Sequence, residues 1–494
     1  MTDSAPPLAR VLVRNTVWTS LGNYANVALG FVANLILTRL LPVETFGFLS
    51  MGNFWTSQLN LKPKSGLHYA GIQHPRLNGE LLGTFWAMDL ILAVASFALS
   101  GAVATALAPL GYPAPVLLSL LVLMVTECLP ALVGAIGMAL ERELQVSRLM
   151  LNAVLASVAG YAIAIGLALA GVGVWSLLAV NLSLAVLGSA GVYVVCRQRL
   201  PWVLRERWRF SGAVAKELLR QGLPTGLSLT AVLSFVATYD NFLVGTFVGY
   251  DALGFYDRAY RTAQWPNLLL STVVGRIGFL MFARVQHDPD RLLHAVRISL
   301  WVLLTFGIPA GLLLAFGAPD LIGLLYGERW LESALYLPFI AVFALAGLVS
   351  TLAFWLAVAL KDTRVSVWLA LSQAMALVAV ATPLTWLLGI NGTLIGVGAT
   401  AALAASLGIR YILQRVSLPA GEVWLPVGIA TPVAVVCLWT LTRWPVWPSL
   451  HALAHICALA AVTGLAFLGT LAAVRPGQFR ERLAYLWQAW RRTT

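Results

Sequence analysis

Leu41-Pro-Val-Glu-Thr-Phe-Gly-Phe-Leu-Ser50 returns 207 residues later as Val248-Gly-Tyr-Asp-Ala-Leu-Gly-Phe-Tyr-Asp257. At that offset Glu44 meets Asp251, Phe46 meets Leu253, Gly47 meets Gly254 and Phe48 meets Phe255, while Asn34 falls on Asn241. Each copy follows one long apolar run and opens another. An acid, a small residue, an apolar one and then Gly-Phe suits a tight turn between membrane helices. The carboxylate can cap the next N-terminus, and glycine lets two helix ends come close. A matched turn with similar apolar runs on both sides predicts two related halves, an organisation that transporters use.

Composition sets the class. Apolar residues make up 60% of the 494 and charged residues only 11%, less than half the share of a soluble domain. Mean hydropathy is +0.84. The apolar runs are continuous over about 20 residues, which fits membrane helices and not the alternation of a barrel strand. Cys128, Cys196, Cys437 and Cys457 lie in or at the ends of these runs without CxxC spacing, so they read as packing residues; no metal site or cofactor is expected. The first run carries Asn23, Asn26 and Asn34 and is too long for a cleavable signal, so it is expected to remain as a helix.

The expected fold class is all-α and polytopic, with about fourteen transmembrane helices near 15–40, 44–67, 82–107, 114–139, 150–170, 173–195, 222–247, 255–282, 295–317, 334–359, 365–388, 391–412, 424–442 and 450–473. This divides the chain into an N-lobe of six helices (1–200), a basic linker (201–221), a C-lobe of six (222–416), two further helices (417–474) and a basic amphipathic tail (475–494). With both termini in the cytoplasm, 26 of the 32 Lys and Arg fall on the inner side and 5 on the outer, with Arg276 inside a helix. The net charge of +12 then belongs to a face opposite anionic headgroups and not to a nucleic-acid surface. Six spans before the linker make the halves parallel repeats. Gly137-Met-Ala-Leu-Glu-Arg-Glu143 closes the fourth span much as Ala357-Val-Ala-Leu-Lys-Asp-Thr363 closes the tenth.

Further motifs carry a family resemblance: Thr38-Arg-Leu-Leu-Pro-Val-Glu-Thr-Phe-Gly47, Gly173-Val-Trp-Ser176, Asp240-Asn-Phe-Leu-Val-Gly245 with Leu253-Gly-Phe-Tyr256, Pro289-Asp-Arg-Leu292 and Tyr326-Gly-Glu-Arg-Trp330. In order and spacing they resemble the O-antigen and exopolysaccharide flippases of the multidrug/oligosaccharidyl-lipid/polysaccharide exporter superfamily, over most of residues 15–416. The resemblance implies two six-helix lobes that rock about a central cavity in the bacterial inner membrane. Through it a polyprenyl-diphosphate-linked glycan moves outward, with polysaccharide polymerase and export proteins as candidate partners. Where that family often carries Asp-Leu-Gly-Leu, this chain has Lys64-Ser-Gly-Leu67, so no role of that acid transfers here.

Such a substrate takes a diphosphate through about 30 Å of hydrocarbon, and fixed positive charge lowers the cost. Lys62, Lys64 and His68 at the inner end of the second span, Arg276 within the eighth and Arg39 at the outer end of the first are the candidate diphosphate contacts. Lys64 and His68 share a helix face, although Pro63 interrupts that helix and rim snorkelling explains the lysines equally. The candidate glycan contacts are Asn23, Asn26, Asn34, Asn60 and Asn241, amides that also glue helices together. Glu127, Asp240 and Asp89 are the intramembrane acids suited to ion coupling, against a purely structural pairing role. Two other functions compete. A multidrug–cation antiporter would want more carboxylates in its cavity. A membrane glycosyltransferase or ligase would need larger, charged outer loops than those near 108–113, 170–173 and 388–391. No Gly-Lys-Ser/Thr phosphate loop occurs, so the chain is expected to be no ATPase, and no enzyme.

Overall fold

A computed structural model of the chain describes residues 8–226, 232–271, 278–418, 420–443 and 451–482, and among these every regular element is helical. Eleven helices are long and apolar enough to cross a membrane, so this is a multi-pass membrane protein. The three other spans expected from sequence are 44–67, 222–247 and 255–282. The first stops after 17 residues, and the other two run through positions outside the described residues.

The chain forms two compact units, residues 1–245 with 249–254, and 246–248 with 255–494. The first begins with α1 (Leu8–Leu40), α2 (Val43–Leu59), α3 (Leu61–Lys64) and α4 (Leu67–Gln73). It continues through α5 (Gly79–Leu107), α6 (Ala114–Cys128), α7 (Gly134–Arg142), α8 (Val146–Leu169) and α9 (Val174–Arg199). Local chemistry sets these ends. Asn78 caps α5 by accepting the Leu81 N–H at 3.0 Å, and Glu80 in the first turn complements the helix dipole. Asn60 ends α2 in extended backbone, and its side chain accepts the Lys62 N–H at 3.1 Å to open α3. Gly66 then turns the chain into α4 at φ +63°. A side chain there would meet the Gly222 carbonyl oxygen at 2.1 Å.

That glycine lies on α11 (Gly212–Thr225), which follows α10 (Pro201–Arg205) in the stretch expected to be a linker. This stretch is folded onto the first unit. The Arg209 N–H donates to Gly79 O at 3.0 Å, the Ser211 N–H to Thr84 Oγ1 at 2.9 Å, and Leu218 is fully buried. Beyond it come α12 (Val232–Val236), α13 (Tyr239–Phe247) and α14 (Tyr250–Ala263), whose first turn belongs to the first unit.

The duplicated turns meet each other. A Cβ on Gly47 would lie 1.9 Å from the Tyr250 carbonyl oxygen, and one on Gly254 would lie 2.4 Å from that of Val43. Tyr250 stands to Gly254 as Val43 stands to Gly47, so each copy offers the other the same two positions. The Phe48 and Tyr250 rings lie 5.1 Å apart beside this contact.

The second unit continues with α15 (Trp265–Ser271), α16 (Gly278–Val285), α17 (Pro289–Phe316), α18 (Ala318–Tyr326) and α19 (Glu332–Ala359). It closes with α20 (Thr363–Ala376), α21 (Thr382–Leu388), α22 (Ile390–Arg415), α23 (Ala420–Thr442) and α24 (Ala452–Val474). The extra helix α24 is tied in by His455, whose Nδ1 lies 2.9 Å from Asp320 Oδ1 on α18. The start of the tail packs on α17: Phe479 lies 6.2 Å from the Trp301 ring and the Arg482 guanidinium 5.8 Å from it. Residues 483–494 of the tail lie outside the described residues.

Candidate functional site

A cavity of about 290 Å³ opens inside the first unit where the α2–α4 elbow faces α5 and α7. Lys62, His68, Phe85, Asp89, Gly134 and Glu141 are among its walls. Lys62 Nζ lies 3.4 Å from Asp89 Oδ1, with only 16% and 11% of the two side chains exposed. The same ammonium donates to the Glu127 carbonyl at 3.3 Å. The Glu127 carboxylate in turn accepts from Asn60 Nδ2 at 3.0 Å. Four residues picked from sequence for three different tasks are thus one hydrogen-bonded group, and two of them are acids. The candidate diphosphate contact Lys62 is thus paired with Asp89. At the mouth, His68 Nε2 sits 3.2 Å from Glu141 Oε2. His68 lies on α4, outside the spans. Its hydrogen bond to Glu141 raises its pKa above the ordinary 6.5, with burial working against the rise.

The opposite wall is a broken helix. α6 ends at Cys128, a 3₁₀ stretch runs Leu129–Val133, and α7 resumes at Gly134. Pro130 has no N–H to continue the α ladder. Within the break the Leu132 carbonyl accepts from Trp86 Nε1 at 3.2 Å. Gly134 makes room for the acid, because a Cβ there would be 2.4 Å from Asp89 Oδ2. Irregular backbone at membrane depth is tolerated where it lines a cavity or is buried in protein. Sequence reading missed this break and the partner Glu141, although Pro130 three residues after Glu127 was a visible signal.

The remaining candidates lie elsewhere. Lys64 turns away from the cavity and donates to the Gln58 carbonyl. Asn23 and Arg39 are exposed on α1, Asn26 donates to Met150 Sδ at 3.8 Å, and Asn34 donates to the Gly30 carbonyl at 2.8 Å. Asp240 is buried and its Oδ1 accepts the Asn241 N–H at 2.9 Å. Arg276 lies outside the described residues. In the second unit, Asp257 and Arg258 are both buried, with Arg258 Nη2 2.7 Å and Arg261 Nε 2.8 Å from Asp257 Oδ2. Among the described residues, no group of three or more His, Cys, Asp or Glu is placed to hold a metal ion.

The family profile described as "Polysaccharide biosynthesis protein" matches residues 36–335. The succinoglycan biosynthesis transport protein ExoT of Rhizobium meliloti (strain 1021) is 27% identical over 331 residues, which is 65% of this chain and 64% of ExoT. The chain therefore spans a little under two thirds of that relative's length. Among solved structures, the lipid II flippase MurJ in an inward closed conformation matches with TM-score 0.70 at 12% identity, covering 93% of this chain and 99% of MurJ. An inward-facing multidrug resistance MATE family transporter of the MOP superfamily matches with TM-score 0.63 at 17% identity, covering 79% of this chain and 94% of its own. At these identities the two structures speak for the fold.

Proposed function

This chain belongs to the polysaccharide biosynthesis protein family, and from that membership we propose that it is a flippase. Its substrate is a polyprenyl-diphosphate-linked oligosaccharide, carried from the cytoplasmic to the outer leaflet of a bacterial inner membrane by alternating access. Both termini face the cytoplasm, as the distribution of Lys and Arg favours. The halves are parallel repeats, as six spans before the basic stretch favour.

The observation that carries the proposal is Lys62, held by Asp89 against a broken helix. Asp89 is the counter-ion of Lys62. A diphosphate brings more charge and more acceptor oxygens, so it replaces the carboxylate on the ammonium while the Glu127 carbonyl keeps that ammonium in position. Binding is then an exchange of anions at a site already desolvated, and release is the reverse exchange. Glu127 and Asp89 are both bonded into this group, so an ion gradient acting on either acid would act on Lys62 as well.

In proteoliposomes, Lys62→Gln should slow flipping of a polyprenyl-diphosphate oligosaccharide about tenfold or more, the loss expected for one charge-assisted hydrogen bond. Rates are compared per inserted, folded protein, and an undiminished rate would remove the reading. One observation favours a second reading, a multidrug–cation antiporter: Asp89 and Glu141 both line the cavity. Ethidium efflux from the same vesicles, with no flipping, would decide for it.

A further inference from the structure

Beside the Lys62 cavity lies a second concavity of about 260 Å³, almost wholly apolar. Leu90, Val94 and Phe97 of α5 form one wall, and Val125, Leu129 and Leu132 form the other. The two spaces share a partition. Asp89 faces the polar cavity and its neighbour Leu90 the apolar one; Pro130 and Leu129 divide in the same way. The Glu127 carbonyl that receives Lys62 precedes Cys128, which lines the apolar groove and donates its thiol to the Ala93 carbonyl at 3.1 Å. One peptide unit therefore separates the ammonium's acceptor from the groove wall. Val94, Phe97 and Leu132 are exposed, so the groove is open along its outer side.

We propose that this groove seats the first isoprene units of the lipid-linked substrate while its diphosphate is on Lys62. The inference rests on the flippase reading and adds the place of the tail to it. A diphosphate and an isoprenoid are joined through a single C–O bond, so a site that takes the phosphates needs an apolar surface immediately next to it. A space of 260 Å³ takes only the start of a chain long enough to cross the membrane, and the rest trails into lipid. The broken helix serves both halves of the amphiphile, with Gly134 and Glu141 on the phosphate side and Leu129 and Leu132 on the hydrocarbon side.

The test uses the full chain in nanodiscs of phosphatidylethanolamine and phosphatidylglycerol, with a benzophenone-bearing polyprenyl diphosphate as probe. Crosslinks should fall on 90–97 and 125–132, and unlabelled polyprenyl diphosphate should compete for them far better than added phosphatidylglycerol does. Val94→Trp and Leu129→Trp, which fill the groove, should weaken polyprenyl diphosphate binding about tenfold, while inorganic diphosphate still protects His68 from diethyl pyrocarbonate as in the wild type. Unweakened binding in both tryptophan variants, or equal competition by phosphatidylglycerol, would overturn the proposal and mark the groove as ordinary lipid contact. If neither diphosphate nor its polyprenyl ester responds to Lys62→Gln, it is the flippase site itself that fails.

Discussion

Lys62 and His68 were both legible as cations near the inner end of a span, but what each cation faces was not. Asp89 lies 27 positions from Lys62, and Glu141 lies 73 from His68. Nothing in residue spacing brings either pair together; the elbow at Asn60, Pro63 and Gly66 does. Asn60 and Glu127 were read as glycan and coupling candidates, and the same elbow makes them partners at 3.0 Å. The His68–Glu141 pair has a consequence in pH. Because the folded imidazole is raised above 6.5, the pair's contribution is fully present below that value and is lost as pH climbs through the raised one. The melting temperature of wild type should therefore exceed that of His68→Gln at acidic pH, with the gap closing above neutrality. Lys62 opposes and Asp89 supports the protonated form, so Asp89→Asn should narrow the gap toward lower pH. A gap that does not vary with pH would contradict the pairing.

Helices that cross without interruption could be read directly from the chain. Stretches such as 79–107 and 452–474 are apolar around most of their circumference and opened by caps, Asn78 and His451. The helices that bend were harder, since hydropathy averages over a break. Residues 114–139 read as one span and lie in one, Ala114–Arg142, but within it the chain makes α6, a 3₁₀ stretch and α7 around Pro130. The break positions the acid through Gly134, which yields a test on a single element. Gly134→Ala puts a methyl 2.4 Å from Asp89 Oδ2 and should destabilise the protein by about 1–3 kcal/mol while slowing transport. Gly137→Ala, one turn on, meets only Val192 Cγ1 at 4.0 Å and should leave the melting temperature within a degree or so of wild type. Equal stability of the two variants would mean that Asp89 is not held against this turn.

Across the whole molecule, the strongest sequence signal was the repetition of one turn, and its physical meaning emerges only when the two copies touch. A similarity at 207 residues shows kinship between segments but not where they lie. Gly47 was read as a residue that lets helix ends approach, and the approach proves to be to the other copy, Tyr250, with Gly254 returning the contact on Val43. Two backbone carbonyls are involved, so neither can swing aside as a flexible side chain would. Gly47→Ala and Gly254→Ala should each cost about 1–3 kcal/mol of stability. If the two contacts are one interface, the first substitution already opens what the second would strain. The double variant should then lose less than the two single losses added together, by about 0.5 kcal/mol or more. Chemical denaturation of all four proteins in one detergent measures this. Simple additivity would mean the turns act independently.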